Sequence, residues 1–466
     1  MRSLIFSLLL VVWLPCSGQS WDWLVQEGDN GYDWAYDVAH DDTGNIYVTG
    51  IFDGSQYFSN VLLISHGGFD IFVAKYDAGG NLLWARSAGT PLDDYPSDIC
   101  LDDSNNVYVC GPYRMTLQFG TDTLHGSGGD QDIYLAKYNN SGNVLWLKSI
   151  GGPGTDGVFA LKKMHSRLFI AGCFSDSVSF DAFMKTSEGA TDGFVGELNT
   201  GGQFLWVNTG GGSRDDVMID VALDNLGNIS AVGNFRDSAV FSTTTINVCG
   251  NMGMDAFIVQ YDPAGNIRWI QKAGSSFSDY AMIVFVDSTN DVYLAGYCAA
   301  LPSFPAFFAN DSIQLTESCT YLCKFDEDGN FQWIKSFYGN HWRPDCIAAV
   351  VDTTNNIYLL CNVRDSAYID ADTIYSGYDY STGVFIVKFS VQGPALGYFQ
   401  TTSNSYSSAL PSDFSMDSFG NITVVGMCAG VTCFGPDSTV DNGTNNIFIA
   451  TIAAGLSIDI DDPNPG

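Results

Sequence analysis

One phrase recurs along the whole chain: GNIYVTG (44–50), NNVYVCG (105–111), SRLFIAG (166–172), GNISAVG (227–233), NDVYLAG (290–296), NNIYLLC (355–361) and GNITVVG (420–426). Its closing residues are Gly50, Gly111, Gly172, Gly233, Gly296, Cys361 and Gly426, spaced 61, 61, 61, 63, 65 and 65 apart. So constant a period makes the chain an array of one supersecondary unit, and it overrides the two to four ordinary domains that 466 residues would suggest. Other columns keep step. Nine residues before the closing position stand Asp41, Asp102, Asp224, Asp287, Asp352 and Asp417, with Lys163 in the third copy. Eight residues after it stand Phe58, Phe119, Phe180, Phe241, Phe304 and Phe434, with Ile369 in the sixth. A second phrase follows the first: DIFVAKYDAGGNLLW (70–84), DIYLAKYNNSGNVLW (132–146), DGFVGELNTGGQFLW (192–206), DAFIVQYDPAGNIRW (255–269) and CTYLCKFDEDGNFQW (319–333). It erodes to GVFIVKFSVQGPALGY (383–398) in the sixth copy, and the seventh, NIFIATIAAGL (446–456), ends before any Trp.

Each unit contains two hairpins. Apolar residues alternate on either side of Asp-Thr-Gly in the first hairpin and of Asp-Ala-Gly-Gly-Asn in the second, as half-buried strands joined by tight turns require. Four short strands form a twisted sheet with two apolar faces. Such a sheet buries both faces only by stacking between sister sheets, and radial stacking gives a β-propeller. The strand missing from the seventh copy is at the front of the chain: Trp23 precedes Trp84 by 61 residues, one repeat. The expected fold is therefore all-β, a single seven-bladed β-propeller over residues 19–456 with four antiparallel strands per blade. Residues 22–26 should pair antiparallel with 446–452 and close the ring as a velcro strand, removing the open edge. The Trp column should pack between blades and the Gly column should be buried in the sheets.

The phrases D-x-x-G-N-h-Y-V-x-G and D-h-F-V-A-K-Y-D-x-x-G-N-x-x-W resemble those of the seven-bladed β-propeller repeat (SBBP repeat) family of secreted bacterial proteins, over residues 22–452. The resemblance implies a propeller outside the cytoplasm and brings no defined catalytic residues. Cys361 for Gly, Lys163 for Asp and the eroded sixth copy depart from the pattern.

The ends agree with export. Met1-Arg2, the apolar run 4–14 and Cys16-Ser17-Gly18 form a signal peptide over 1–18, too short to span a bilayer. A lipidated Cys16 is the lesser alternative, disfavoured by Pro15. Residues 457–466 are an acidic Pro/Gly tail or linker. The mature protein is expected to be secreted or at the cell surface and monomeric, with no membrane insertion. With 52 Asp+Glu against 19 Lys+Arg, its surface repels phosphate backbones, so nucleic acid is not an expected partner.

Few residues suggest chemistry. The five His form no metal-ligand motif, and no nucleophile elbow, P-loop or dinucleotide fingerprint appears. Asp326-Glu-Asp328-Gly-Asn is a hairpin turn, since Phe337 stands where a calcium loop needs Glu. The weak site candidate is an acidic column seventeen residues before the closing position: Asp33, Asp94, Asp216 and Asp279, with Asp156 and Asp345 displaced by one. These residues should gather at one rim of the central channel. The expectation is that they accept backbone N–H bonds where one blade passes to the next; the alternative is a carboxylate ring holding calcium. Of the cysteines, Cys298 and Cys319 bracket one strand link and can meet, and Cys428 and Cys433 can meet across a tight turn. No catalytic residue and no cofactor is assigned. The expected function is a non-catalytic binding or display module for an extracellular protein or glycan. The alternative is a polysaccharide-acting enzyme, a glycosidase or lyase, whose carboxylates converge at the mouth of the channel.

Overall fold

The turn chemistry of the repeated phrases sets the local structure. In the computed structural model, Trp34–His40 and Ile46–Phe52 form the first hairpin of the first unit, and Asp70–Tyr76 and Leu82–Gly89 the second. Each turn is built by its leading carboxylate. Asp41 Oδ1 accepts the N–H groups of Thr43 and Asn45, both at 3.0 Å, and Asp77 Oδ1 those of Gly79 and Asn81 at 3.0 and 2.9 Å. Asp102, Asp224, Asp326 and Asp417 repeat this arrangement. The D-x-x-G-N column is thus hairpin chemistry, and these acceptor bonds hold Asp41, Asp77 and Asp102 below the usual carboxylate range against the burial that opposes them.

The described residues are 21–453, apart from 29–30, 250–252, 300–305, 310, 314–316, 340–344, 365, 370–371, 376–381, 394, 404–406, 435 and 441–443. The signal segment 1–18, the tail 457–466, Phe304 and His341 lie outside them. The fold is all-β and propeller-like, built of antiparallel sheets, and no helix of the described residues is long and apolar enough to cross a membrane. In the first unit the strands pair in chain order, with Trp34 opposite Ile51, Ile51 opposite Ile71 and Ile71 opposite Ala88. The same order recurs in the later units. Both middle strands, Ile46–Phe52 and Asp70–Tyr76, are buried at every position. The cores therefore lie between successive sheets: Ile71, Val73 and Trp84 of the first unit pack with Ile99, Val109 and Tyr134 of the second.

The first strand of each unit lies against the first strand of the next, and Ser408–Met416 lies against Trp34–His40. Trp21–Glu27 pairs antiparallel with Asn446–Ile452, Trp23 opposite Thr451 and Glu27 opposite Ile447. The Trp column explains why that strand fits there. A Cβ on Gly142, whose φ is +76°, would meet the Trp84 ring at 2.8 Å, and one on Gly80 (φ +80°) would meet the Trp23 ring at 3.0 Å. Each indole covers the bare turn glycine of the following unit, so Trp23 stands to the first unit as Trp84 stands to the second.

Two features are absent from the sequence reading. The residues between the second and third strands form an extra hairpin that joins the outer strand of the preceding unit: Phe119 pairs with Ala88, Phe241 with Gly210 and Phe308 with Ala273. Phe308, fully buried, thus holds the register expected of Phe304, because the fifth unit carries extra residues before its hairpin. The first strands also carry a β-bulge, as between Ala35 and Asp37, Met218 and Asp220, and Pro411 and Asp413.

Candidate functional site

Asp33, Asp94, Asp156, Asp216 and Asp279 stand where the first strands of five successive units begin, and all five are buried, whereas Asp345 is half-buried. Asp94 Oδ2 accepts Thr90 N–H at 2.6 Å, Asp156 Oδ2 accepts Gly152 N–H at 2.9 Å, and Asp216 Oδ2 accepts Gly212 N–H at 2.7 Å. Asp279 takes Ser275 N–H at 2.5 Å and Ala299 N–H at 2.8 Å on its two oxygens, and Asp33 accepts the Gln56 amide at 2.7 Å. Their own N–H groups bond back to the preceding unit, Asp94 to Phe69 O and Asp216 to Thr191 O. The column therefore staples unit to unit. Burial pushes Asp94 up to about 6 and Asp156, Asp216 and Asp279 up to about 7, against the backbone donors that favour the charged form. Among the described residues no group of three His, Cys, Asp or Glu is placed to hold a metal ion.

A different set of carboxylates does converge. The bulge in the first strand is followed by Asp37, Asp220 and Asp413, and Asp98 occupies the equivalent place in the second unit. These stand thirteen residues before the closing position, where the other copies have Phe159, Ile283 and Ala348. Each reaches the first strand of the next unit: Asp37 Oδ2 accepts Ile99 N–H at 2.6 Å, Asp98 accepts Leu161 N–H at 2.8 Å, Asp220 accepts Val284 N–H at 2.9 Å, and Asp413 accepts Val38 N–H at 3.3 Å. Lys162 Nζ lies 2.9 Å from Asp98 Oδ2. Burial, and after it the neighbouring Asp413, disfavour the charged form of Asp37. Burial raises Asp37 and Asp98 well above the carboxylate range and Asp220 to about 6. Burial works against the charge of Lys162, but the surrounding carboxylates, Asp98 foremost, outweigh it and raise its pKa. The Lys162 side chain is 44% accessible, so it lines open space between the first strands. The alternating pattern hid this column, because a bulge turns an expected core position toward the axis.

Above these carboxylates, at the end where the first strands begin, five aromatic rings of the first two units close a cycle. Tyr32 lies 6.2 Å from Trp34 and 5.6 Å from Phe69, Trp34 lies 5.4 Å from Tyr36, and Tyr95 lies 6.3 Å from Tyr36 and 6.2 Å from Phe69. All five are half-buried. Trp34 Nε1 donates to Ser412 Oγ at 2.5 Å, tying the cycle to the last unit. Burial, with Tyr95 and Tyr32 beside it, pushes Tyr36 up to about 12, so it stays a neutral donor. Tyr95 also lines a cavity of about 450 Å³ with Leu92, Asp93, Tyr113, Arg114 and Gln131. Asp93 and Arg114 are exposed. Sequence reading missed this face because its residues lie off the repeated columns; their signal was the local density of Tyr, Trp and Phe at 32–36, 69 and 95.

The cysteines also resolve. Cys298 and Cys319 face each other in register and are both fully buried. Cys428 sits opposite Ala409 and Cys433 opposite Thr402 on a different strand pair.

Residues 22–50, the first strand and first hairpin, match the family described as Beta-propeller repeat. An uncharacterized WD repeat-containing protein of Acanthamoeba polyphaga mimivirus is 22% identical; the match covers 72% of this chain and 30% of the relative, so the chain spans less than a third of that protein's length. Among solved structures, a protein of unknown function from Dyadobacter fermentans is similar at 10% identity with a TM-score of 0.44, over 94% of this chain and all of that one. A polysaccharide lyase is similar at 8% identity and 0.44, over 93% of this chain and all of that one. The Synechocystis apocarotenoid oxygenase is similar at 12% and 0.42, over 93% of this chain and 95% of that one.

Proposed function

We propose that the chain is an exported, seven-bladed propeller ring of the SBBP-repeat type that binds a neutral glycan on the aromatic face of its first two blades. The ring reading is supported by the cyclic contact of the first strands, by the Trp21–Glu27 pairing and by the Trp23–Gly80 contact. The observation that carries the binding reading is the closed cycle of Tyr32, Trp34, Tyr36, Tyr95 and Phe69 beside a cavity with polar groups at its wall. Flat aromatic faces take the apolar faces of sugar rings, and Asp93, Gln131 and Arg114 supply donors and acceptors for hydroxyl groups. The acidic balance of the rest of the molecule disfavours a polyanionic ligand.

The test is a glycan array followed by calorimetry on the wild type, Tyr95→Ala and Arg114→Ala. The expected result is a neutral-glycan hit weakened at least ~10-fold by each substitution, about 1.4 kcal/mol. Binding that neither change affects, or capture of a protein ligand alone, refutes the glycan site. A second reading rests on the carboxylates and Lys162 along the axis: acid–base chemistry on a polysaccharide entering from the aromatic end. Release of new sugar ends from a bound polysaccharide, abolished by Asp98→Asn, would favour it; intact polysaccharide after prolonged incubation would eliminate it.

A further inference from the structure

We propose that Cys346 and Cys361 are joined by a disulfide across the first hairpin of the sixth unit. The two residues face each other directly in the register of Asp345–Val351 against Asn356–Arg364, and their sulfurs are 3.3 Å apart. Facing residues of an antiparallel pair have Cα atoms about 4.5–5.5 Å apart, inside the ~4.4–6.8 Å that a disulfide spans.

The repeat makes the pairing more specific. Cys361 occupies the closing position that is glycine in the other six copies, and there a Cβ would strike a backbone carbonyl: Trp34 O at 2.1 Å from Gly50, Val217 O at 1.9 Å from Gly233, Tyr280 O at 2.0 Å from Gly296. The sixth copy alone places a side chain in that column, and the residue opposite is the other cysteine. In five of those six copies the opposite residue is Ala35, Val158, Met218, Ala281 or Pro411. A bond draws the sulfurs from 3.3 Å to about 2.05 Å.

The oxidant is a protein or small-molecule disulfide. One cysteine thiolate attacks it to give a mixed disulfide, and the second displaces the remaining donor sulfur. One S–S bond breaks in the donor and one forms in the protein, and the two thiol protons end on the two donor thiols. Both cysteines are fully enclosed in the folded chain, at 0% and 2% exposure, so the exchange belongs to folding, before the neighbouring units close over the hairpin.

The experiment is refolding of the reduced full chain with oxidised glutathione, then alkylation in denaturant without reductant and intact-mass measurement. The expected result is two fewer alkyl adducts than after reduction, a cross-linked peptide containing Cys346 and Cys361, and loss of that difference in Cys346→Ser. A reductant should lower the melting temperature of the oxidised wild type and leave Cys346→Ser unmoved. Equal adduct numbers with and without reductant, or a cross-link joining other cysteines instead, overturns the proposal.

Discussion

Gly172 offers the sharpest test of how the sheets are packed. It lies in the second strand of the third unit opposite Val158, beside the first-strand bulge. Its φ is not positive, so a substitution there meets no intrinsic backbone strain. Any cost is therefore steric. A Cβ at this position would lie 2.0 Å from Gly157 O and 2.8 Å from the Phe194 ring. The first contact is with backbone, which has no rotamer to escape into, so the strands must part by about an ångström to restore ordinary separation. Overpacking of this kind costs about 1–3 kcal/mol, and with a backbone and a ring both displaced Gly172→Val belongs at the upper end, about 3 kcal/mol. Gly157→Ala is the matched control, because its Cβ would meet nothing nearer than Cys173 Sγ at 3.6 Å and should change stability by less than about 0.5 kcal/mol. Urea unfolding followed by tryptophan fluorescence measures both. Equal midpoints for Gly172→Val and wild type, or a larger loss in Gly157→Ala, would refute the packing argument.

Removing residues 19–28 leaves Asn446–Ile452 as an open edge and uncovers Gly80 of the first unit; the expected loss is several kcal/mol, read as an earlier melt and aggregation on heating, and a deletion that melts like wild type would show that closure does not depend on that strand. Stability should fall as pH rises from about 4 to about 7, because Asp156, Asp216 and Asp279, each raised by burial to about 7, keep protons in the fold that the unfolded chain releases near 4. Each such group contributes at most about 4 kcal/mol, about half that with solvent relaxation, fully present below pH ~4 and lost through its folded pKa. Asp156→Asn should lessen the slope in pH-dependent melts, and a flat or rising profile over that interval would refute the assignment.

Much of this was available from the residues alone. The period of the closing glycine gave the unit and its number of copies, and the offset between Trp23 and Trp84 placed the first strand beside the last, because both are direct counts of columns. The turn reading of Asp41 and Asp77 followed from chemistry that acts within five residues. What stayed hidden is non-local or local to one copy. The exchanged hairpins depend on which sheet edge is free after folding, which no spacing reports. Asp37, Asp220 and Asp413 depend on a bulge, and a strict two-residue alternation cannot express one. The aromatic cycle joins residues 32–36 to 69 and 95, positions that the repeat itself marks as variable.

The pairing of Trp21–Glu27 with Asn446–Ile452 also fixes how the molecule responds to attachment and to pulling. Trp21 and Ile452 lie at the same end of the last sheet, the end where first strands finish, while the rings of Tyr32, Trp34 and Tyr95 lie where first strands begin. The ends of these two strands lie away from the aromatic face, so a tether attached at either strand end presents that face outward. Tension applied across both termini acts differently. It pulls at the open end of an antiparallel pair and peels one rung at a time, so the pairing of Trp21–Glu27 with Asn446–Ile452 should yield at low force.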